Sequence, residues 1–174
     1  MQWAKDKFEE FFNQNPRNLL RLLEEFKKTG NFDAVDFKIV KRSLKFLKTR
    51  PSSAQDCVAI ARKWFQKFFH NNLRQLLSVY PLDFKGKDGK LFWTLPKRPP
   101  TPLVFDVNDS NHMGMIKAAV KLLMSVWSMD PQLAKDLDWK TAVESVKVEP
   151  FVARAEALES IKKSVEKNEK DAKV

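Results

Sequence analysis

Glycine is scarce in this chain, with four among 174 residues: Gly30, Gly86, Gly89 and Gly114. Neither G-x-G-x-x-G nor G-x-x-x-x-G-K-S/T can be written anywhere, so the two familiar phosphate-cradling loops are excluded. A fold built on many tight hairpins would use more glycine, and its shortage points to helices. A single cysteine, Cys57, forbids an internal disulfide and fits a reducing compartment. Only His70 and His112 accompany it, so a zinc site would need carboxylates at no recognisable spacing, and no metal site is expected. The longest apolar run, Cys57 to Ala61, is far short of a membrane span. Met1-Gln2-Trp3-Ala4-Lys5-Asp6 lacks the apolar core of a secretory signal. These exclusions predict a soluble, intracellular protein with no membrane partner.

What is present argues for a core. Hydrophobic residues make up 43% of the chain and include fourteen Phe and five Trp, which excludes wholesale disorder. Lys and Arg number 32 against 22 Asp and Glu, a net charge of +10. The excess is confined to residues 1–100, and residues 101–174 are close to neutral. A basic half of this kind could follow nucleic acid or an acidic protein surface. A lysine-rich solvated helical face explains the counts without either. Stacking on nucleic acid bases needs aromatics exposed on the basic surface, whereas here they follow the helical core period, so nucleic acid is not expected as a partner.

The periodicity predicts an all-α, multi-helix domain with one long proline-rich irregular region. Trp3, Phe8, Phe11 and Phe12 form a first stripe that stops before Pro16. Leu19, Leu20, Leu23 and Phe26 form a second, closed by Gly30. Asp33 or Asp36 can cap a third helix carrying Phe37, Val40, Leu44 and Leu47. Ser53-Ala54-Gln55-Asp56 starts a long core helix, with a stripe from Cys57 through Trp64/Phe65 to Leu76/Leu77 that ends at Tyr80-Pro81. From Pro81 to Asn111 the pattern vanishes. Asp88-Gly89 marks a turn, Leu91-Phe92-Trp93 is an apolar patch, and Pro96 to Pro102 holds four prolines, so this stretch is expected to be an ordered wrapping loop. Helix resumes with Met115/Ile116, Ala119/Val120, Leu123 and Val126/Trp127, followed by short helices at Asp130-Pro131 and from Asp138 to Val146. Residues 1–151 read as the folded domain. Residues 152–174, with a thin stripe of Leu158, Ile161 and Val165, read as a charged helical or disordered tail whose last nine residues folding can spare.

Few residues suit bond-making chemistry. Neither histidine sits in a recognisable nucleophile elbow, so a Ser/His/Asp triad is not expected. His70 reads as a structural or surface histidine, and His112 as part of a helix start. Cys57 is the one candidate nucleophile, placed in a first helical turn where unpaired N–H groups can lower a thiol pKa. Against that, it belongs to the apolar stripe and Asp56 disfavours a thiolate, so a small buried hydrophobe is the reading preferred.

Three segments together resemble a known family. Met1-Gln2-Trp3-Ala4-Lys5-Asp6-Lys7-Phe8-Glu9 resembles the Q-W-A-R/K-D-x-F-E helix of ubiquitin-activating enzymes. Asp56-Cys57-Val58 with Asn71-Asn72-Leu73-Arg74-Gln75-Leu76-Leu77 is similar to their D-C-V … N-N-x-R-Q-L-L helix. The longest match runs from Phe92 to Asn108 and resembles F-W-x-x-P-K-R-x-P-x-P-L-x-F-D-x-N, with Asn111-His112 close behind. Pro150-Phe151 echoes, less closely, the end of the family domain.

The resemblance, over residues 1–151, implies the second catalytic cysteine half-domain, a largely helical module. It implies a parent enzyme that uses ATP and magnesium to adenylate ubiquitin or a ubiquitin-like modifier, carries it as a cysteine thioester and passes it to a conjugating enzyme. The thioester cysteine of the family lies just before the Q-W-A helix, and Cys57 matches the D-C-V position instead. On this resemblance the chain is expected to be a fragment without catalytic residue, nucleotide site or cofactor of its own, inactive alone, and partnered by the adenylation domains of the same parent chain. The family-motif positions to follow are Pro96, Lys97, Arg98, Pro99, Phe105, Asp106 and Asn108, with Phe105, Asp106 and Asn108 expected to pin the loop and cap the next helix. Cytoplasmic and nuclear localisation is implied. A free-standing helical adaptor for protein binding is the alternative, and a basic nucleic-acid-binding domain is a more distant one.

Overall fold

The structure, a computed structural model, describes residues 2–86 and 89–154. Its order is α1 (Gln2–Glu9), a π-helical stretch (Glu10–Gln14), α2 (Asn15–Thr29), α3 (Phe37–Lys48), α4 (Ala54–Phe65), a second π stretch (Gln66–Asn71), α5 (Asn72–Val79), α6 (Ser110–Val126), a 3₁₀ turn (Pro131–Ala134) and α7 (Trp139–Glu144). Among the described residues there is no strand, only an isolated bridge between Lys85 and Leu91, so the chain is all-α. The tail from residue 155 onward, with its Leu158, Ile161 and Val165 stripe, lies outside the described residues. The described residues divide into two compact units, residues 2–59 with 116–142, and residues 60–115 with 143–154.

In the first unit, helix boundaries follow capping chemistry. Asp36, rather than Asp33, caps α3 by accepting the Lys38 N–H at 2.6 Å. At the start of α4, Ser53 Oγ accepts the Asp56 N–H at 3.1 Å while Asp56 Oδ2 accepts the Ser53 N–H at 3.1 Å and the Ser52 N–H at 2.9 Å. The aspartate therefore completes the reciprocal box that a glutamate usually makes, reaching the shorter distance through Ser52 as well. Gly30 closes α2 at φ 74°, a left-handed conformation that costs glycine nothing.

Pro16 does not end the first helix. The Asn15 N–H bonds to Glu10 O, five residues back, so the chain widens to π register and enters α2 with Pro16 in its first turn. A proline there withholds an N–H that the register change leaves without its usual acceptor, so the helix bypasses the break.

Burial in this unit is concentrated in α4 and α6: Ala54, Cys57 and Val58 on one, Ile116, Ala119, Val120, Leu123 and Met124 on the other. Phe46 stacks on Trp127 with centroids 4.7 Å apart, and Gln55 Nε2 donates to Ala142 O at 2.8 Å. The N-terminal stripes behave otherwise. Leu19 and Leu22 of α2 are buried, yet Trp3, Phe8, Leu20, Leu23, Phe26, Phe37, Leu44 and Leu47 are exposed. On α3 the covered residues are Ile39, Val40, Ser43 and Phe46, so of the expected stripe only Val40 is covered and Phe37, Leu44 and Leu47 stay open. Periodicity marks an amphipathic face, and says nothing about whether that face is covered.

In the second unit, the last turns of α4, the π stretch and α5 form one helical run. Phe65, Val79 and Tyr80 are buried on it. Gln75, also buried, exchanges hydrogen bonds with the backbone of Arg154: its Oε1 accepts the N–H at 2.9 Å and its Nε2 donates to the carbonyl at 3.3 Å.

Candidate functional site

Among the described residues from Tyr80 to Asp109 there is no helix or strand to satisfy the backbone, so side chains and isolated backbone bonds must do so. They do it at two anchor points. At the first, the Phe92 N–H donates to Phe84 O at 2.9 Å and the Trp93 indole N–H donates to Tyr80 O at 2.8 Å. Tyr80 and Phe92 stack at 4.4 Å, with Phe84 edge-on to both. The turn between them runs through Gly89 at φ 75°, beside the predicted Asp88, which lies outside the described residues. The apolar patch is thus used unevenly: Phe92 and Trp93 are half-buried and Leu91 is exposed.

At the second anchor the loop returns to the π stretch. The Leu103 N–H donates to Phe69 O at 2.8 Å, and Leu103 O lies 2.8 Å from His70 Nδ1. A carbonyl can only accept, so His70 carries its proton on Nδ1. Phe105 then enters between three side chains: edge-on to Phe65 at 5.0 Å, stacked on His112 at 5.7 Å, and under the Arg62 guanidinium at 4.3 Å. The Asp106 N–H donates to His112 Nδ1 at 3.1 Å, which requires that nitrogen to be bare and places the His112 proton on Nε2. Asp106 Oδ1 accepts the Asn108 N–H at 2.8 Å, folding the chain into an Asx turn. The cap of α6 is Asp109, whose Oδ1 accepts the Asn111 and His112 N–H groups at 2.8 and 3.1 Å, so Asn108 serves the turn and not the helix. Those backbone donors, the His112 N–H foremost, hold the Asp109 carboxyl below its usual range.

The motif positions therefore fall into two groups. Phe105, Asp106 and Asn108 are gathered with Arg62, Phe65 and His112 into one cluster. Pro96, Lys97, Arg98 and Pro99 are exposed, on a segment entered through a cis Leu95–Pro96 peptide, with Lys97 Nζ 4.5 Å above the Phe92 ring. Sequence reasoning missed Arg62, Phe69 and the loop-holding role of both histidines. Only the Phe-Asp-x-Asn … His spacing hinted at any of it; Leu103 meets a residue 33 positions earlier, which no local pattern encodes.

A shallow cleft beside the cluster is lined by Arg62, Phe105, Asp106, Asn108 and Glu144 among others. Burial alone pulls the Arg62 guanidinium below its ordinary value, and it remains a cation over an aromatic face. The cluster's histidine nitrogen nearest the loop is already bonded, and no thiol or activated hydroxyl faces the cleft.

Cys57, in the first unit, is fully buried with its Sγ 3.8 Å from Met129 Sδ. Burial first, and the neighbouring Asp56 charge second, push its thiol up to about 11. It is protonated and covered at neutral pH. Of the two left-handed glycines, Gly30 terminates a helix and Gly89 serves a turn, and neither opens a helix N-terminus toward a phosphate. Among the described residues no three His, Cys, Asp or Glu side chains group to hold a metal ion.

The family described as "Ubiquitin-activating enzyme, SCCH domain" matches residues 1–174, beyond residue 151 where the motif resemblance stops. Ubiquitin-like modifier-activating enzyme 6 of Mus musculus is 34% identical over 163 residues, 87% of this chain and 15% of that protein. Its Homo sapiens counterpart is 36% identical over 146 residues, 79% of this chain and 13% of that protein. Ubiquitin-activating enzyme E1 1 of Schizosaccharomyces pombe is 38% identical over 124 residues, 69% of this chain and 12% of that protein. The chain belongs to the second catalytic cysteine half-domain family of ubiquitin-activating enzymes. It spans at most 15% of the length of these three relatives.

Proposed function

We propose that this chain is the helical support of the thioester site in a ubiquitin-activating enzyme. On this reading, adenylation domains of the same parent chain bind ATP and magnesium and activate the C-terminus of ubiquitin or a ubiquitin-like modifier. A cysteine thiolate outside residues 1–154 attacks the acyl adenylate, releasing AMP and leaving the modifier as a thioester. A conjugating enzyme's thiol then displaces that cysteine. The present residues make no bond in these steps; they hold the surfaces that modifier and conjugating enzyme meet. The parent works in cytoplasm and nucleus.

The observation that carries the reading is the loop from Phe92 to Asn108. It holds the longest family motif, and it is fixed by named bonds at both ends, as a positioning surface needs to be. The test uses the parent enzyme. Phe105→Ala should slow transfer to a conjugating enzyme roughly tenfold while ATP–pyrophosphate exchange persists, because positioning and adenylation are separate steps. Cys57→Ser, in a folded protein, should leave both rates nearly unchanged. Full transfer by the Phe105 variant, or a reductant-sensitive modifier adduct on Cys57, contradicts the proposal.

A further inference from the structure

Helix α3 reads Phe-Lys-Ile-Val-Lys-Arg-Ser-Leu-Lys-Phe-Leu-Lys, with five basic residues and no acidic one in twelve. At 100° per residue it presents three sectors. Ile39, Ser43 and Phe46 face the protein and are covered, and Val40, which lies within the second sector between Leu47 and Leu44, is half-buried. Phe37, Leu44 and Leu47 form a second sector and stay 76%, 43% and 41% exposed. Lys38, Lys41, Arg42, Lys45 and Lys48 fill the third, all exposed. None of those five cations has an ion pair among the described residues, where the only salt bridge is Lys7 to Glu10.

Folding alone explains the first sector. It does not explain the second beside the third, because a merely solvated face would not keep a largely exposed phenylalanine in line with two leucines. From Phe37 to Leu47 the apolar strip is about 15 Å long, some three helical turns. We infer that α3 is a docking face for an acidic amphipathic helix of a protein partner. That helix covers Phe37, Leu44 and Leu47 with its own apolar residues and sets Asp or Glu against Lys41, Lys45 and Lys48. Duplex nucleic acid would neutralise the lysines and leave the apolar strip in water. A membrane surface would favour lysines on both sides of the strip, whereas here one side is the protein itself.

The probe is a synthetic peptide of about 14 residues, Leu and Glu placed at amphipathic helical spacing, compared with a scrambled peptide of the same composition. It is titrated into the isotope-labelled chain and followed by amide chemical shifts. Saturable shifts centred on residues 37–48 are expected, with the scrambled peptide at least tenfold weaker. Phe37→Ala with Leu47→Ser, and separately Lys41→Glu with Lys45→Glu, should each weaken binding about tenfold, and all four positions are exposed so that folding survives. Equal binding of the scrambled peptide, shifts elsewhere, unaffected variants, or a preference for phosphatidylserine vesicles or duplex DNA over the peptide each overturn the proposal.

Discussion

Residues 2–48 and residues 80–112 reverse what their secondary structure suggests. The first region is almost wholly helical, yet α1 buries no residue and α2 buries only Leu19 and Leu22. The second is largely irregular, yet the Leu103 N–H bonds to Phe69 O and the Phe105 ring meets Phe65, both outside it, while the Phe92 N–H to Phe84 O, the Asp106 N–H to His112 and the Tyr80–Phe92 stack fix it within. Regularity follows local propensity and hydrogen bonding, whereas anchorage follows what side chains touch far along the chain. A loop can therefore be the firmer of the two.

The largest test of this contrast is Phe65→Ala. Phe65 is 2% exposed and meets Phe69, Phe105 and His112. Its truncation should destabilise the protein by about 3–5 kcal/mol in denaturant unfolding. Phe105→Ala, half-buried, should cost about 2 kcal/mol. Phe8→Ala, in a helix but exposed, should stay within about 0.5 kcal/mol. Equal losses for Phe8 and Phe105 would erase the contrast.

A smaller effect concerns the start of α4. Asp56→Ala removes the acceptor that Ser52 and Ser53 share and should cost about 1 kcal/mol. The same carboxyl sets a pH dependence. Its pKa is lowered from 3.8, chiefly by the Ser52 hydroxyl, so the folded state holds its proton less tightly than the unfolded chain does. That contribution to stability is complete above pH 3.8 and is lost as pH falls through the lower folded value. Acid unfolding of Asp56→Ala should accordingly be less steep in this range than that of the parent sequence. Least of all, Ser128→Gly should stabilise by about 0.5 kcal/mol, since Ser128 ends α6 at φ 51°, a conformation that glycine adopts more easily.

Much of this was legible in the residues. The stripe from Cys57 to Leu77 and the Ser53–Asp56 start gave α4 to α5, because both signals are local. The loop motif gave the family and the cluster's Phe105, Asp106 and Asn108. What periodicity could not supply was coverage: Trp3, Phe8, Phe37, Leu44 and Leu47 keep helical spacing on an open face. Nor could it supply the π registers at Glu10–Gln14 and Gln66–Asn71, which leave composition unchanged and shift only the hydrogen-bond partner. Arg62 and His70 were invisible for a third reason. Their partners, Phe105 and Leu103, lie tens of residues away.

Amide hydrogen exchange tests the central claim most directly. The N–H groups of Phe92, Leu103 and Asp106 each have an acceptor at 2.8–3.1 Å, whereas α1 has regular helical bonds but no buried residue. Local opening governs exchange, so the anchored loop amides should exchange more slowly than those of Phe8 and Glu9. Faster exchange at Phe92, Leu103 and Asp106 than in α1 would show that the loop is not held by these bonds, and the account of it as a positioning surface would fail.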